Sequence, residues 1–176
     1  DHAEAARLAR DPKERAEHAM IIDLMRNDLS RVAELGTVSV PQIMAVERYA
    51  GLSHLVSSVR CTTRAECGPR ALLEAAFPAG SITGTPKLRA IEIIAAIEPA
   101  ARGVYTGTYG YLDRAGGLSL AVAIRTAVVE RGRARYFAGG GIVEASQVER
   151  ELAETTLKAR VFSDAIADLS APRVVR

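Results

Sequence analysis

Much of what this 176-residue sequence says comes from what it has little of. Lysine and arginine number 23 against 21 aspartates and glutamates, so the formal net charge is only +2. Gripping a nucleic-acid backbone calls for a dense basic stripe, and so small a charge weighs against a general nucleic-acid binder. There is no long uncharged apolar run, which excludes a transmembrane helix. Asp1-His2-Ala3-Glu4 has no basic segment leading into an apolar stretch, so no secretory signal is visible. Cysteine occurs twice, at Cys61 and Cys67, a spacing that fits neither a zinc hook nor a Cys-x-x-Cys redox pair. Two ordinary thiols in a reducing, cytoplasmic setting are expected. Lysine is scarce too: Lys13, Lys87 and Lys158 stand in a chain that otherwise uses arginine. A retained lysine hints at a position that wants a compact point charge rather than a planar fork. Internal repeats, low-complexity segments and an initiator methionine are all missing.

Helical pattern begins almost at once. Asp11-Pro12-Lys13-Glu14 then reads as a helix start, with Asp as N-cap, Pro in the first position and Glu closing a capping box. Apolar spacing carries that helix to about Leu29. Strands are predicted at Thr37 to Val40, Ile43 to Tyr49 and Leu52 to Val59, with a hinge near Gly51. Arg70 to Phe77 is predicted helical, Pro78 to Thr85 a loop, and Pro86 opens a helix through Ile97. Further strands are predicted at Thr106 to Leu112, Leu118 to Val129 and Ala134 to Ala138, joined by turns at Gly116-Gly117 and Arg131-Gly132. A last amphipathic helix, Val148 to Phe162, carries Leu152, Ala153, Leu157 and Val161 on its apolar face. The order predicts an α+β fold of antiparallel sheets covered by helices. Residues 11–165 bear the pattern, and 166–176 read as a tail.

Four groups of residues could carry chemistry. Glu14 and Glu17 are three apart on the first helix, and Glu151 and Glu154 on the last, so each couple shares a helix face. Were the helices to converge, four carboxylates would need a cation between them. Oxygen ligands on rigid helices suit Mg²⁺. The same spacing is met by solvated glutamates balanced by Arg15 and Arg150. Gly80-Ser81-Ile82-Thr83-Gly84-Thr85-Pro86-Lys87 combines glycines, hydroxyls and a helix start into an anion cradle, or merely caps its helix. It lacks the Gly-Lys-Ser/Thr ending of a nucleotide loop. In the strand from Leu118, bulky residues alternate with Ser119, Ala121 and Ala123, and Arg125 then rises at the end of the shallow face. A guanidinium so placed could grip a carboxylate bidentately, or pair with a nearby acid. Tyr105 and Gly139, Gly140 and Gly141 could line the same floor, where the glycines allow close approach. His54 is either a satisfied core histidine or an acid/base group.

Taken together and in order, these segments resemble the chorismate-utilising enzymes. That family includes anthranilate synthase component I, aminodeoxychorismate synthase component I, and the isochorismate and salicylate synthases. The resemblance lies in Lys13 to Leu29, Pro78 to Lys87, Ile124-Arg125-Thr126-Ala127, Gly139 to Val143, and Glu151-x-x-Glu154-Thr155-x-x-Lys158. It implies the chorismate-binding fold of anthranilate synthase component I. By resemblance Glu17 and Glu154 ligate Mg²⁺, with Glu14 and Glu151 as water-mediated neighbours, and the metal holds the ring carboxylate of chorismate. Arg125 and Tyr105 match residues that bind the enolpyruvyl carboxylate, helped by N–H groups of Gly139, Gly140 and Gly141. Ser81, in the loop with Thr83, matches a hydroxyl touching the ring carboxylate, with Lys158 close by. His54 matches a histidine that handles a proton at the ring hydroxyl.

Within the family, Ser81-Ile82-Thr83-Gly84 and the wording from Met20 to Asp28 are more similar to the aminodeoxychorismate synthases. Such an enzyme converts chorismate and ammonia to 4-amino-4-deoxychorismate for folate synthesis, with a glutamine amidotransferase supplying the ammonia. Anthranilate synthase is the alternative. Thr85, Ala145 and Tyr109 depart from the family's usual residues, and none of them removes a ligand. The family's upstream Pro-Ile-Lys/Ala-Gly-Thr segment is missing. In aminodeoxychorismate synthases its lysine is the proposed nucleophile, and none of the three lysines here fits it. The expectation is therefore a C-terminal part of a longer enzyme, inactive alone or able only to bind ligand or its missing half.

Overall fold

The computed structural model describes residues 2–49, 52–144 and 146–170. The expected hinge at Gly51, the departure at Ala145 and the Lys13 side chain lie outside the described residues. Two compact units divide the chain, residues 1–98 and 99–176.

In the first unit, α1 (His2–Arg10) packs on a hairpin formed by β1 (Ser39–Tyr49) and β2 (Leu52–Arg60). The central element is α2 (Pro12–Ser30), which starts as its sequence demands. The Asp11 carboxylate accepts the Glu14 N–H at 3.1 Å, and Pro12 takes the first position, where no N–H is needed. At its far end, the Arg64 guanidinium donates to the carbonyls of Arg31 (2.8 Å) and Ala33 (3.1 Å). Those carbonyls lie just past the last turn, where the chain has left its helical partners behind. Where two strands were predicted, Thr37 to Val40 and Ile43 to Tyr49, there is one strand whose register shifts twice between Ser39 and Ala45. Met44 sits there at φ 50°, and its N–H goes to Ser57 Oγ at 2.8 Å. A bulge strands an N–H, and a hydroxyl from the facing strand satisfies it. α3 (Pro69–Ala76), α4 (Gly80–Thr83) and α5 (Lys87–Ile97) complete the unit. α4 is a single helical turn inside the segment expected to be loop.

The second unit holds two more hairpins. β3 (Thr108–Leu112) pairs with β4 (Leu118–Val122), and β5 (Ala127–Glu130) with β6 (Arg133–Tyr136), all antiparallel. The predicted strand from Leu118 to Val129 is thus broken, because backbone partners change at Ala123. Its N–H donates to Gly107 O (2.9 Å), and its carbonyl accepts the Thr106 N–H (2.8 Å). Ile124 N–H then folds back to Val122 O, and Arg125 takes φ 51°. The alternation therefore ends at Ala123, which is fully buried, and Arg125 does not continue the shallow face. β5 and β6 turn through Arg131 (φ 51°) and Gly132 (φ 73°), the pair of left-handed residues that a tight two-residue hairpin requires.

The last helix, α6 (Val148–Ser170), runs eight residues beyond the predicted end at Phe162 and takes in the first part of the expected tail. Its apolar stripe is not what packs. Leu152, Leu157 and Val161 are 66%, 62% and 74% exposed. Glu151, Thr155, Lys158 and Phe162 form the half-buried stripe instead. Phe162 stacks on Tyr136 at 4.7 Å, and Tyr136 Oη donates to Lys158 O at 3.2 Å. Helical spacing was right and the choice of inner face was wrong. Buried residues elsewhere are mostly small: Ala5, Val32, Ala33, Ala75, Ala79 and Ala123.

Candidate functional site

In the first unit, α2 carries Glu14, exposed, and Glu17, half-buried, one turn apart. His18 follows, and its Nε2 lies 2.8 Å from Ser57 Oγ, the hydroxyl that also receives Met44 N–H. One hydroxyl thus ties α2 to both strands of the hairpin. His54 stands on β2 opposite Glu47 of β1 and meets the Tyr49 ring edge-on at 5.9 Å. It is exposed, so it is not a core histidine. Tyr49 Oη donates to Glu47 at 2.7 Å, and that hydrogen bond, with the adjacent negative charge, raises the phenol's pKa above its ordinary value.

The segment read as an anion cradle already contains an anion, and it belongs to the protein. Asp28, near the end of α2, places Oδ1 2.7 Å from Lys87 Nζ, and its Oδ2 accepts the Gly80 N–H at 3.4 Å. The Asp28 and Lys87 side chains are 6% and 18% exposed. Lys87 also donates to Ala75 O at 3.2 Å. Lys87 therefore points inward rather than toward a ligand, which corrects its reading as part of an open cradle. Thr83 Oγ1 donates back to Ala79 O, whereas Ser81 is exposed on the same turn. Sequence reasoning passed over Asp28. The available signal was an acid in the last turn of a helix with no basic residue there, where the helix dipole disfavours negative charge.

The second unit gathers more of its candidates. Tyr105 stacks on Phe137 at 5.5 Å, and the Arg102 guanidinium lies 5.8 Å from its ring centre. A Cβ on Gly139 would stand 2.9 Å from Tyr105 Oη. A Cβ on Gly140 would stand 3.2 Å from Glu151 Oε2 and 3.9 Å from Glu154 Oε1. The glycine run therefore passes a phenol at Gly139 and two carboxylates at Gly140, close enough that a side chain at either position would push its neighbour aside. Lys158 Nζ bridges Glu154 (2.6 Å) and Gly139 O (3.1 Å). Lys87 and Lys158 thus share one use, an ammonium held between a carboxylate and a backbone carbonyl, which is the compact charge that their rarity hinted at. Gly141 is exposed, as is Arg125, whose guanidinium has no partner among the described residues. Thr106, between Tyr105 and the strand, is buried at φ 66°, a conformation that costs a β-branched residue energy and recurs where side chains are aimed for function. Nothing in its residue type announced it.

Two carboxylates over one glycine offer a divalent cation hard oxygen ligands, and Mg²⁺ takes one or two protein carboxylates while keeping its waters. No cluster of three or more His, Cys, Asp or Glu side chains gathers among the described residues. No helix among them is long and apolar enough to cross a membrane.

Comparison with known proteins identifies the family. Residues 1–164 match the family profile described as chorismate binding enzyme. Anthranilate synthase component 1 of Arthrobacter globiformis is 48% identical over 159 residues, covering 90% of this chain and 30% of that protein. Aminodeoxychorismate synthase component 1 of Escherichia coli (strain K12) is 46% identical over 155 residues, covering 88% and 34%. The crystal structure of anthranilate synthase component I from Streptococcus pneumoniae TIGR4 superimposes with a TM-score of 0.83 at 43% identity, covering 91% of this chain and 37% of that one. The chain spans about a third of the length of the curated relatives it matches.

Proposed function

This chain belongs to the chorismate-binding enzyme family, and we propose on that premise that it is the chorismate-binding part of an aminodeoxychorismate synthase component I. The observation that carries the reading is the glycine run flanked by Tyr105 Oη at Gly139 and by the carboxylates of Glu151 and Glu154 at Gly140. A small dicarboxylate needs such a mixture: donors for one carboxylate and a cation-loaded acidic patch for the other. Arg125, Tyr105 Oη and the N–H groups of Gly139, Gly140 and Gly141 bind the enolpyruvyl carboxylate. Ser81, in the turn with Thr83, and Lys158 bind the ring carboxylate. By the family likeness Glu17 and Glu154 would hold Mg²⁺, with Glu14 and Glu151 as water-mediated neighbours. When bound, the ion supplies positive charge that neutralises a substrate carboxylate and favours loss of the ring hydroxyl. His54 delivers the proton with which that hydroxyl leaves as water, while an amine takes its place.

Ammonia comes from a glutamine amidotransferase partner, and the product feeds folate synthesis in the cytoplasm. The wording Ser81-Ile82-Thr83-Gly84 favours this member of the family. A second reading, anthranilate synthase component I, is favoured by the Arthrobacter relative named so. The test is product analysis of the full-length protein with chorismate, Mg²⁺ and ammonium. 4-Amino-4-deoxychorismate without anthranilate or pyruvate supports the first reading, and anthranilate with pyruvate supports the second. Loss of neither chorismate nor ammonium would refute both. The 176-residue chain by itself is expected to have negligible turnover, since none of Lys13, Lys87 and Lys158 lies in the family's Pro-Ile-Lys-Gly-Thr segment. Steady product formation by it would overturn that expectation.

A further inference from the structure

Four helical elements meet at one buried charge. Asp28 lies in the last turn of α2, Lys87 opens α5, and the Lys87 ammonium also reaches the carbonyl of Ala75 in α3. The second oxygen of Asp28 receives the N–H of Gly80, the first residue of α4. Gly80 is itself buried, and a Cβ there would stand 3.3 Å from Asp28 Oδ2 and 3.4 Å from Leu24 Cβ. α4 is therefore fastened along its inner side to α2, while Ser81, the next residue, faces outward with a hydroxyl that has no partner among the described residues. A four-residue helical turn has little stability of its own, because nucleation fixes several dihedrals for a single hydrogen bond. Its conformation must come from what holds it.

We infer that the Asp28–Lys87 ion pair is a positioning device that sets the Ser81 hydroxyl for the substrate carboxylate. The inference rests on the proposed chorismate site. Neither charged residue touches substrate; both act through the turn. An ammonium suits this place because it satisfies a carboxylate and a carbonyl from one point, which a planar guanidinium cannot do in the same volume.

The test is the KM for chorismate of the full-length protein and its K87M, S81A and K87M/S81A variants, measured from chorismate consumption. A hydrogen bond to a charged acceptor that is lost from the bound state corresponds to roughly a tenfold change in affinity or more. S81A is expected to raise KM about tenfold on this basis, K87M by a comparable factor, and the double variant by little more than either. A pair serving only stability would lower the active fraction and hence the maximal rate, leaving KM where it was. That outcome, or effects on KM that multiply in the double variant, would overturn the inference. Should K87M fail to fold, D28N keeps the volume and removes the charge, and G80A presses the turn away from Asp28 Oδ2 and Leu24 by a few tenths of an ångström while leaving both charges in place. Both are expected to raise KM in the same non-additive way with S81A, and an unchanged KM in both would overturn the inference. A wild-type protein that leaves chorismate untouched refutes the proposed function itself, an outcome distinct from any seen only in the variants.

Discussion

Replacing Lys87 by methionine removes one charge from a pair whose partner cannot escape to water. At 2.7 Å the gross attraction is about 6 kcal/mol for an effective dielectric near 20. Most of that offsets the desolvation of the two groups, so the pair itself contributes modestly to stability. Breaking it is another matter. The Asp28 side chain, 6% exposed, would keep only the 3.4 Å contact from Gly80 N–H. Losing one member of a buried pair typically costs about 3–5 kcal/mol. If the loss falls on the local unit, it is read in the amides of Ile82, Thr83 and Gly84, which donate to the carbonyls of Ala79 and Gly80. At about 1.4 kcal/mol per tenfold, their hydrogen-exchange protection should drop by roughly 150- to 4,000-fold in K87M. D28N should cost less, since Lys87 keeps the Ala75 carbonyl and is 18% exposed. The D28N/K87M double variant should exchange more slowly than K87M, because no charge remains buried. Exchange within about fivefold of wild type in K87M would mean that the carboxylate finds water, and the reasoning from burial would fail.

Other expectations follow from single contacts. Arg131 takes φ 51° in the β5–β6 turn, where asparagine is easier to accommodate, so R131N should stabilise the protein by about 0.5–1 kcal/mol, read as a rise in Tm. In G140A the new methyl would stand 3.2 Å from Glu151 Oε2, so Mg²⁺ binding by calorimetry should weaken by roughly tenfold if these carboxylates are ligands, and unchanged binding would remove them from the proposal. Tyr49 has a raised pKa because Glu47 accepts its proton-bearing hydroxyl, so E47Q should bring its ultraviolet titration back toward pH 10. The sign follows from the direction: the protonated phenol is favoured in the fold, so this contribution to stability is present below the unfolded pKa and is lost as pH rises through the folded one.

Much of this protein could be read from order and spacing. The cap at Asp11, proline in the first position of α2, the helical stretches and the sequence of motifs all rest on neighbours a few residues apart. Chemistry at that range needs no knowledge of the fold. The use of the scarce lysines was legible in outline for the same reason, because choosing Lys over Arg is a local signal. What the tertiary structure decided lies at longer range. Asp28 and Gly80 are 52 residues apart, and nothing near either one announces the other. The left-handed backbone at Met44 and Thr106 occurs without the glycine or asparagine that would advertise it, where each N–H is held from a sequence-distant segment, by Ser57 Oγ and by the Ala123 carbonyl. That is why one predicted strand broke at Ala123 and two others merged across a bulge. The inner face of α6 was decided the same way. Periodicity identified its apolar stripe, but stacking of Phe162 on Tyr136 and the reach of Lys158 to Gly139 turned the charged motif inward instead. A sequence states which side chains share a helix face, and only the packed partner determines which face is used.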